Sequence, residues 1–172
     1  MRAILLPEGS IVLDLKEATK LYAEFFGMPL GMKKYPHGRK LNRPLILDKY
    51  ETLFLAERGL EVYHRGKRLP LEELREMLLK SEREEILSNI YNEIRSKGYI
   101  PRPGAKFGAD FLIYEKGPGR EHAPYALVYL EKLSGRDIIR VSRLSHAVRK
   151  YSIVALGKRK RYYIIRWFKE LK

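Results

Sequence analysis

Residues 106–150 read KFGADFLIYEKGPGREHAPYALVYLEKLSGRDIIRVSRLSHAVRK, and the fold of the C-terminal half follows from this stretch. Residues 111–114 and residues 125–130 are short apolar runs separated by a segment rich in glycine and proline, which is typical of two β-strands joined by a loop. Ser134 is followed three residues later by Asp137, a spacing that predicts the start of a helix. The stretch therefore predicts a strand, a loop, a second strand and a helix.

The ends of these predicted elements carry chemically active side chains. Tyr114 ends the first strand, His122 ends the loop, and Lys150 ends the helix. Because the connections are short, folding of this stretch alone can bring a phenol, an imidazole and an ammonium group around one point. Each residue also has a purely structural interpretation. Tyr114 could be a half-buried core residue, His122 a loop residue paired with a carboxylate, and Lys150 a cation that interacts favourably with the helix dipole.

The chain has 172 residues, enough for one large or two small domains. Lysine and arginine number 35 against 21 acidic residues, which gives a formal net charge of +14. An excess of this size predicts a polyanionic partner, either nucleic acid or an anionic membrane surface. Charge-rich composition is also common in thermophile proteins, but we favour nucleic acid.

The sequence contains no cysteine and four histidines. This excludes disulfides, cysteine-based zinc sites and thiol nucleophiles, and the histidines form no H-E-x-x-H pattern, so we expect neither a metal nor a cofactor. An apolar run at residues 3–6 is broken by Pro7, too early for a signal peptide or a membrane span. We therefore expect a cytoplasmic protein with no membrane segment.

The N-terminal half predicts a small mixed α/β domain, because short apolar runs alternate there with helix signals. Asp14 is suited to cap one helix, and Pro70 opens another. Ser81 begins a capping box, and we place the domain boundary there, with domains at 1–80 and 81–172. The predicted fold class is α+β, with the N-terminal domain packed on a C-terminal α/β domain that has a central mixed or antiparallel sheet and flanking helices.

Positive charge is concentrated toward the C-terminus, where residues 140–172 contain eleven basic residues and one acidic residue. At 100° per residue, the cations of the predicted helix fall within roughly 80° of one another, and its apolar residues lie on the other side. The cationic face comprises Arg136, Arg140, Arg143 and Lys150, and the apolar face comprises Ile138, Val141, Leu144 and Val148. We call the cationic face the basic ridge, and it predicts an anion-binding surface.

A second basic feature follows the helix. Residues 152–156 and 162–166 predict two strands joined by the turn Gly-Lys-Arg-Lys-Arg at residues 157–161. Four consecutive cations repel one another unless phosphate or a partner's carboxylates neutralise them. The turn therefore predicts a contact with an anion or a partner, or else serves only solubility.

A phenol, an imidazole and an ammonium group are sufficient to cleave RNA without a metal. RNA supplies its own nucleophile, the 2′-hydroxyl, and needs only a base, an acid for the leaving 5′-oxygen and charge stabilisation at phosphorus. Tyr114 could be the base only if cations such as Lys116, Arg120 or Lys150 favour its phenolate, because an unperturbed phenol has a pKa of about 10. The imidazole of His122 suits the acid, and the ammonium of Lys150 suits charge stabilisation.

Three segments of this half closely resemble the archaeal tRNA-splicing endonuclease family. They are K-F-G-A-D-F-L-I-Y at 106–114, His122 with the following A-P-Y-A-L-V, and R-L-S-H-A-V-R-K at 143–150. The resemblance covers the whole C-terminal domain and reaches residues 51–60 and 70–78 more weakly.

The resemblance implies metal-independent cleavage of precursor tRNA at a bulge-helix-bulge, which leaves a 2′,3′-cyclic phosphate and a 5′-hydroxyl. It implies that Tyr114 is the general base, His122 the general acid and Lys150 the stabiliser of the transition state. Family members also clamp a flipped bulge base between two arginines. Arg143 matches the first, and Arg166 is our choice for the second. Arg136 and Arg140 are expected to bind the substrate from the same ridge.

The basic turn at residues 157–161 departs from the family. Self-assembling members carry an acidic loop there that docks into a basic cleft of an opposing subunit. We therefore expect a heterotetramer of two catalytic subunits and two noncatalytic paralogous subunits, with a homotetramer as the alternative. Strand pairing between C-terminal edges is the expected dimer contact.

Two other functions stay open at this point. One is a noncatalytic RNA-binding or structural subunit of the same assembly, which would have no reason to keep Tyr114, His122 and Lys150 together. The other is a metal-dependent nuclease that uses Asp110 and a later Glu-x-Lys motif. Glu131 and Lys132 are adjacent and lack the intervening residue, which disfavours the second.

Overall fold

The computed structural model describes residues 1–32, 41–148 and 151–165, and in the last helix it leaves the side chains of residues 145–148 undescribed. Two compact units make up the chain, Met1–Glu93 and Ile94–Lys172. No helix within the described ranges is long and apolar enough to cross a membrane.

The first unit contains a six-stranded sheet and helices. Strand β1 pairs in parallel with β5, and the other neighbours in the order β3-β4-β2-β1-β5-β6 are antiparallel. The elements are β1 (Arg2–Leu6), β2 (Gly9–Val12), α1 (Leu15–Ala23), β3 (Met28–Pro29), β4 (Leu45–Asp48), α2 (Lys49–Ala56), β5 (Glu61–His64), β6 (Lys67–Arg68), α3 (Leu71–Leu78) and α4 (Glu82–Ser96), the last of which continues into the second unit.

The predicted helix starts of this unit have clear local causes. The Asp14 carboxylate accepts hydrogen bonds from the backbone N–H groups of Lys16 and Glu17 at 2.9 and 2.8 Å, which confirms it as the cap of α1. Pro70 precedes α3, and the Ser81 hydroxyl accepts a bond from the Glu84 N–H at 3.3 Å at the start of α4. The division between the compact units falls inside α4, beyond Ser81. The domain boundary at Ser81 stays a prediction.

The second unit is built on a five-stranded sheet in the order β11-β10-β9-β8-β7. Strands β9 and β10 are parallel, and the remaining neighbours are antiparallel. A parallel pair needs a crossover, and helix α5 provides it. The predicted fold class, with its mixed C-terminal sheet, is confirmed. The elements are β7 (Ile100–Pro103), β8 (Phe111–Tyr114), β9 (Tyr125–Leu130), α5 (Gly135–Val148), β10 (Tyr151–Leu156) and β11 (Arg161–Ile165).

Helix α5 covers one face of this sheet. Its N-terminus is capped as predicted, since the Ser134 hydroxyl and backbone N–H both donate to the Asp137 carboxylate, at 2.5 and 3.1 Å. Val141 lies in a buried cluster with Leu112, Ala126, Val128 and Val154 of the strands, and Leu144 packs against it. The prediction that Ile138 belongs to the apolar core face is wrong, because 44% of its surface is exposed. Ile138 lies in the first turn of α5, whereas Val141, three residues later, belongs to the buried cluster.

Candidate active site

The end of β8 and the starts of β9 and β10 lie side by side and define one edge of the second sheet, the edge at which these strands end rather than an outermost strand. Ile113 of β8 pairs with Tyr125, the first residue of β9, and Tyr125 pairs in turn with Tyr151, the first residue of β10. The Tyr151 backbone N–H also donates to the Pro124 carbonyl at 3.0 Å. Neighbouring strands lie about 4.8 Å apart, so the three strand ends are within roughly 10 Å of one another. We call this the catalytic edge.

Tyr114 is the last residue of β8 and lies at the catalytic edge. It is half-buried, on the same face as Leu112, and packs against the buried cluster that α5 covers. Burial raises the pKa of the Tyr114 phenol, the Arg102 guanidinium opposes this increase, and the Glu121 carboxylate adds to it. The phenol is therefore protonated at neutral pH.

Among the described residues, Arg102 is a cation that favours the Tyr114 phenolate, and the sequence did not predict it. Arg102 lies on β7 opposite Leu112, and β7 also places Ile100 opposite Tyr114. Because paired residues of antiparallel strands share a face, Arg102 and Tyr114 lie on the same face, diagonally across two strands. Arg102 is 8% exposed, so water screens its charge weakly.

Glu121 organises the loop between Tyr114 and His122. Its Oε1 atom accepts hydrogen bonds from the backbone N–H groups of Glu115 at 2.6 Å and Lys116 at 2.5 Å. These bonds, chiefly the one from Lys116, lower the pKa of the Glu121 carboxyl. Gly117 and Gly119 have φ angles of 103° and 83°, in a region that L side chains rarely adopt, and so allow the tight return of the loop.

His122 directly follows Glu121 and precedes the buried Ala123, so the loop delivers it to the start of β9. Its side chain is exposed to solvent. Tyr114 therefore ends β8, and His122 lies three residues before the neighbouring strand β9, at the same edge of the sheet. Lys150 lies outside the described residues, although Tyr151, the next residue in the sequence, begins β10 at this edge.

The described part of the basic ridge is exposed. Arg136, Arg140 and Arg143 all face solvent on α5, and Arg140 approaches the Asp137 carboxylate at 3.8 Å, a long contact for an ion pair at the surface. Arg166, the predicted second clamping arginine, lies outside the described residues. The ridge therefore presents three guanidinium groups to solvent.

Within residues 1–32, 41–148 and 151–165, the structure contains no group of three or more histidine or acidic side chains that could hold a metal ion. Asp110, the ligand of the metal-dependent alternative, instead accepts a hydrogen bond from the backbone N–H of Tyr129 at 2.7 Å. This contact ties the start of β8 to β9 and gives Asp110 a structural role.

Models of two protein domains match the chain. The C-terminal catalytic domain of the tRNA intron endonucleases matches residues 85–166, and the N-terminal domain of the same enzymes matches residues 1–75. Together they define the class of protein, a two-domain endoribonuclease in which the second domain is the catalytic one. The candidate residues at the catalytic edge lie within the match to the catalytic domain.

Relatives that match over nearly their whole length are tRNA-splicing endonucleases. The chain is 43% identical to a tRNA-splicing endonuclease of Hyperthermus butylicus, over 98% of this chain and 99% of the relative. It is 34% identical to the enzyme of that name from Saccharolobus solfataricus, over 98% and 99%, and 33% identical to that of Sulfurisphaera tokodaii, over 96% and 97%. The chain belongs to the tRNA intron endonuclease family, as the resemblance of its C-terminal motifs predicts.

Proposed function

We propose that this chain is the catalytic subunit of a tRNA-splicing endonuclease. It would cut precursor tRNA at bulge-helix-bulge splice sites in the cytoplasm, by attack of the 2′-hydroxyl on the adjacent phosphorus. The products would be a 2′,3′-cyclic phosphate and a 5′-hydroxyl. The observation that carries this proposal is that Tyr114 ends β8 and that His122 lies three residues before β9, the strand that pairs with β8.

The proposed step is a transesterification that needs no water and no metal. The 2′-oxygen forms a bond to phosphorus as its proton passes to the phenolate form of Tyr114, and the bond from phosphorus to the 5′-oxygen breaks as that oxygen takes a proton from His122. The ammonium of Lys150 would oppose the extra negative charge on the phosphorane. Arg143 and Arg166 would clamp a flipped bulge base, and Arg136 and Arg140 would bind phosphates.

The pKa of Tyr114 constrains the role of the phenol. Because burial raises that pKa, only a small fraction is phenolate at neutral pH, and that fraction is a correspondingly strong base. The same protonated phenol also suits the second candidate function, a noncatalytic RNA-binding subunit of the same assembly. The two functions differ in whether replacement of His122 abolishes cleavage.

A bulge-helix-bulge RNA incubated with the protein in excess chelator tests the proposal. We expect cleavage with cyclic-phosphate and 5′-hydroxyl ends, and we expect His122→Ala to reduce the rate by about 10²- to 10⁴-fold while RNA binding persists. His64→Ala, a change at a histidine of β5 in the first unit, is the matched control and should cleave at the wild-type rate. Wild-type rates from His122→Ala favour the noncatalytic subunit, and loss of cleavage in chelator favours a metal-dependent nuclease.

The proposed assembly is a heterotetramer with a noncatalytic paralogue, and a homotetramer is the alternative. Its support is the wholly basic sequence of the turn between β10 and β11, which cannot supply the acidic docking loop of self-assembling relatives. Purification of the chain alone and together with a paralogue separates the two states. A stable and fully active tetramer of this chain alone would contradict the heterotetramer.

A further inference from the structure

Three tyrosines lie beside the catalytic edge. Tyr125 and Tyr151 are paired across β9 and β10, with ring centroids 6.0 Å apart and ring planes inclined by 35°. Tyr99 directly precedes β7, whose first residue, Ile100, pairs with Tyr114. Tyr99 and Tyr151 are both close enough to act electrostatically on the Tyr125 phenol. The three residues form one group, which we call the tyrosine cluster.

The outer rings of the cluster, Tyr99 and Tyr151, are exposed and are not part of the buried core. Tyr99 is 38% exposed and Tyr151 is 46% exposed, whereas Phe111 and Tyr129 of the same sheet are almost fully buried. Side chains alternate between the two faces of a strand. Tyr125 pairs with Ile113, so the cluster lies on the face opposite Tyr114 and the strand end separates them. A ligand that crosses the catalytic edge would meet Tyr114 on one side and the cluster on the other.

A hydrogen bond holds the centre of the cluster in place. The Tyr125 hydroxyl donates to Oε1 of Glu115 at 3.1 Å, and this bond is the main reason that the pKa of Tyr125 is raised. The phenol is therefore a neutral donor across the physiological pH range. Glu115 directly follows Tyr114, so the bond fixes the Tyr125 ring relative to the end of β8.

The spacing of the rings selects how a planar ligand binds. A base sandwiched between two parallel rings needs about 6.8 Å between them, twice the roughly 3.4 Å thickness of a stacked base. The 6.0 Å separation of Tyr125 and Tyr151 is too small for this, and their rings are inclined by 35° and so are not parallel. A base would instead stack on the exposed outer face of a ring, as tyrosines do on single-stranded RNA.

We propose that Tyr99, Tyr125 and Tyr151 form a stacking platform for unpaired nucleobases that flank the scissile phosphate. This inference rests on the proposed function and adds a binding site for the substrate beyond the arginine clamp. The occupant is RNA, because the cluster is continuous with the end of β8 that carries Tyr114 and with the start of β9, which the His122 loop precedes. Stacking is insensitive to base identity, so the platform would recognise an unpaired strand by shape.

The test measures stacking in a protein that cannot cleave. A bulge-helix-bulge RNA with 2-aminopurine in a bulge is titrated into the full-length His122→Ala chain, together with its paralogue if the assembly requires one. Stacking on an aromatic ring quenches 2-aminopurine. We expect Tyr151→Ala to lose the quench and to weaken binding about ten-fold, while Tyr151→Phe, which keeps the ring, retains both. Tyr63→Ala, which removes a half-exposed ring from the first unit, should behave as the parent.

The outcomes separate this inference from the proposed function. Equal quenching by Tyr151→Ala and Tyr151→Phe overturns the platform, whatever the wild-type chain cleaves. A quench that depends on Tyr151 in a wild-type chain that does not cleave supports the platform and overturns the proposed activity. A change in particle mass for Tyr151→Ala, with RNA binding unaltered, overturns the platform in favour of a contact between subunits.

Discussion

The Glu121 carboxylate accepts a hydrogen bond at 2.6 Å from the backbone N–H of Glu115, the residue directly after Tyr114. Glu121 also directly precedes His122. One carboxylate thus closes the loop that separates the proposed base from the proposed acid, and it does so through backbone groups. Because its pKa is lowered, Glu121 stays charged until the pH falls below the ordinary range of a carboxyl group.

Replacement of Glu121 should misplace His122 without unfolding the sheet. We expect Glu121→Ala to lower the cleavage rate about 10- to 100-fold, because small errors in the position of a catalytic group are costly. Glu121→Gln retains an acceptor oxygen and should lie between Glu121→Ala and the wild type. Single-turnover cleavage at saturating enzyme measures the effect, and an unchanged rate for Glu121→Ala would refute the positioning role.

The Tyr114 phenol should titrate at high pH. Burial disfavours the phenolate, so the folded chain keeps this proton at pH values where a free phenol, with a pKa of about 10, has lost it. The difference in tyrosinate absorbance between the wild type and Tyr114→Phe should therefore develop only above about pH 10. If Tyr114 is the base, the cleavage rate should rise with pH through the neutral range. A Tyr114 signal that develops below pH 10 would contradict the increase of its pKa by burial.

Arg102 should influence the pH at which the Tyr114 phenol loses its proton. Its guanidinium favours the phenolate, so Arg102→Met should move the Tyr114 titration to still higher pH and slow cleavage at pH 7. Arg102→Lys keeps a cation at the same buried position of β7 and is the matched control for the loss of charge. The same absorbance difference, measured in each background against Tyr114→Phe, reports the shift. Identical titrations in the two variants would exclude an electrostatic role for Arg102.

The sequence predicts features whose cause is local. The cap formed by Ser134 and Asp137 depends on a spacing of three residues, and the loop that precedes β9 depends on its own glycines. Both can therefore be predicted from the sequence. The prediction that Ile138 belongs to the core is wrong, because a helical projection gives the direction of a side chain but not what packs against it.

Features that depend on distant partners were not predicted. Two prolines flank Arg102 and disfavour a strand, yet β7 tolerates them because it is an edge strand with one neighbour in the described part of the sheet. Arg102 acts on Tyr114 only through the pairing of β7 with β8, which no local pattern reveals. The burial of Glu51 has the same kind of cause. This carboxylate is 1% exposed and accepts a hydrogen bond at 2.8 Å from the backbone N–H of Gly27, a residue far away in the sequence.

The basic ridge should contribute to binding in proportion to the phosphates it neutralises. We expect Arg140→Gln and Arg143→Gln each to weaken RNA binding, and each to reduce the slope of the logarithm of affinity against the logarithm of salt concentration by about one. Lys67→Gln, an exposed cation of β6 in the first unit, is the control. Fluorescence anisotropy at several salt concentrations gives the slopes. Equal slopes for all four proteins would place the phosphate contacts elsewhere.

The side of β11 away from β10 should be a contact between subunits. In the described part of the sheet β11 has one neighbour, β10, and its Ile164 is 66% exposed. An apolar edge strand left uncovered invites pairing with another chain, so we expect Ile164→Glu to lower the assembly mass by placing a charge in that contact. Ile4→Glu, at an exposed isoleucine of β1, is the matched control and should leave the mass unchanged. Light scattering across a dilution series measures both. Should Ile164→Glu assemble like the wild type at every concentration, the dimer contact must use another surface, and the exposed apolar row of β11 would need a different partner.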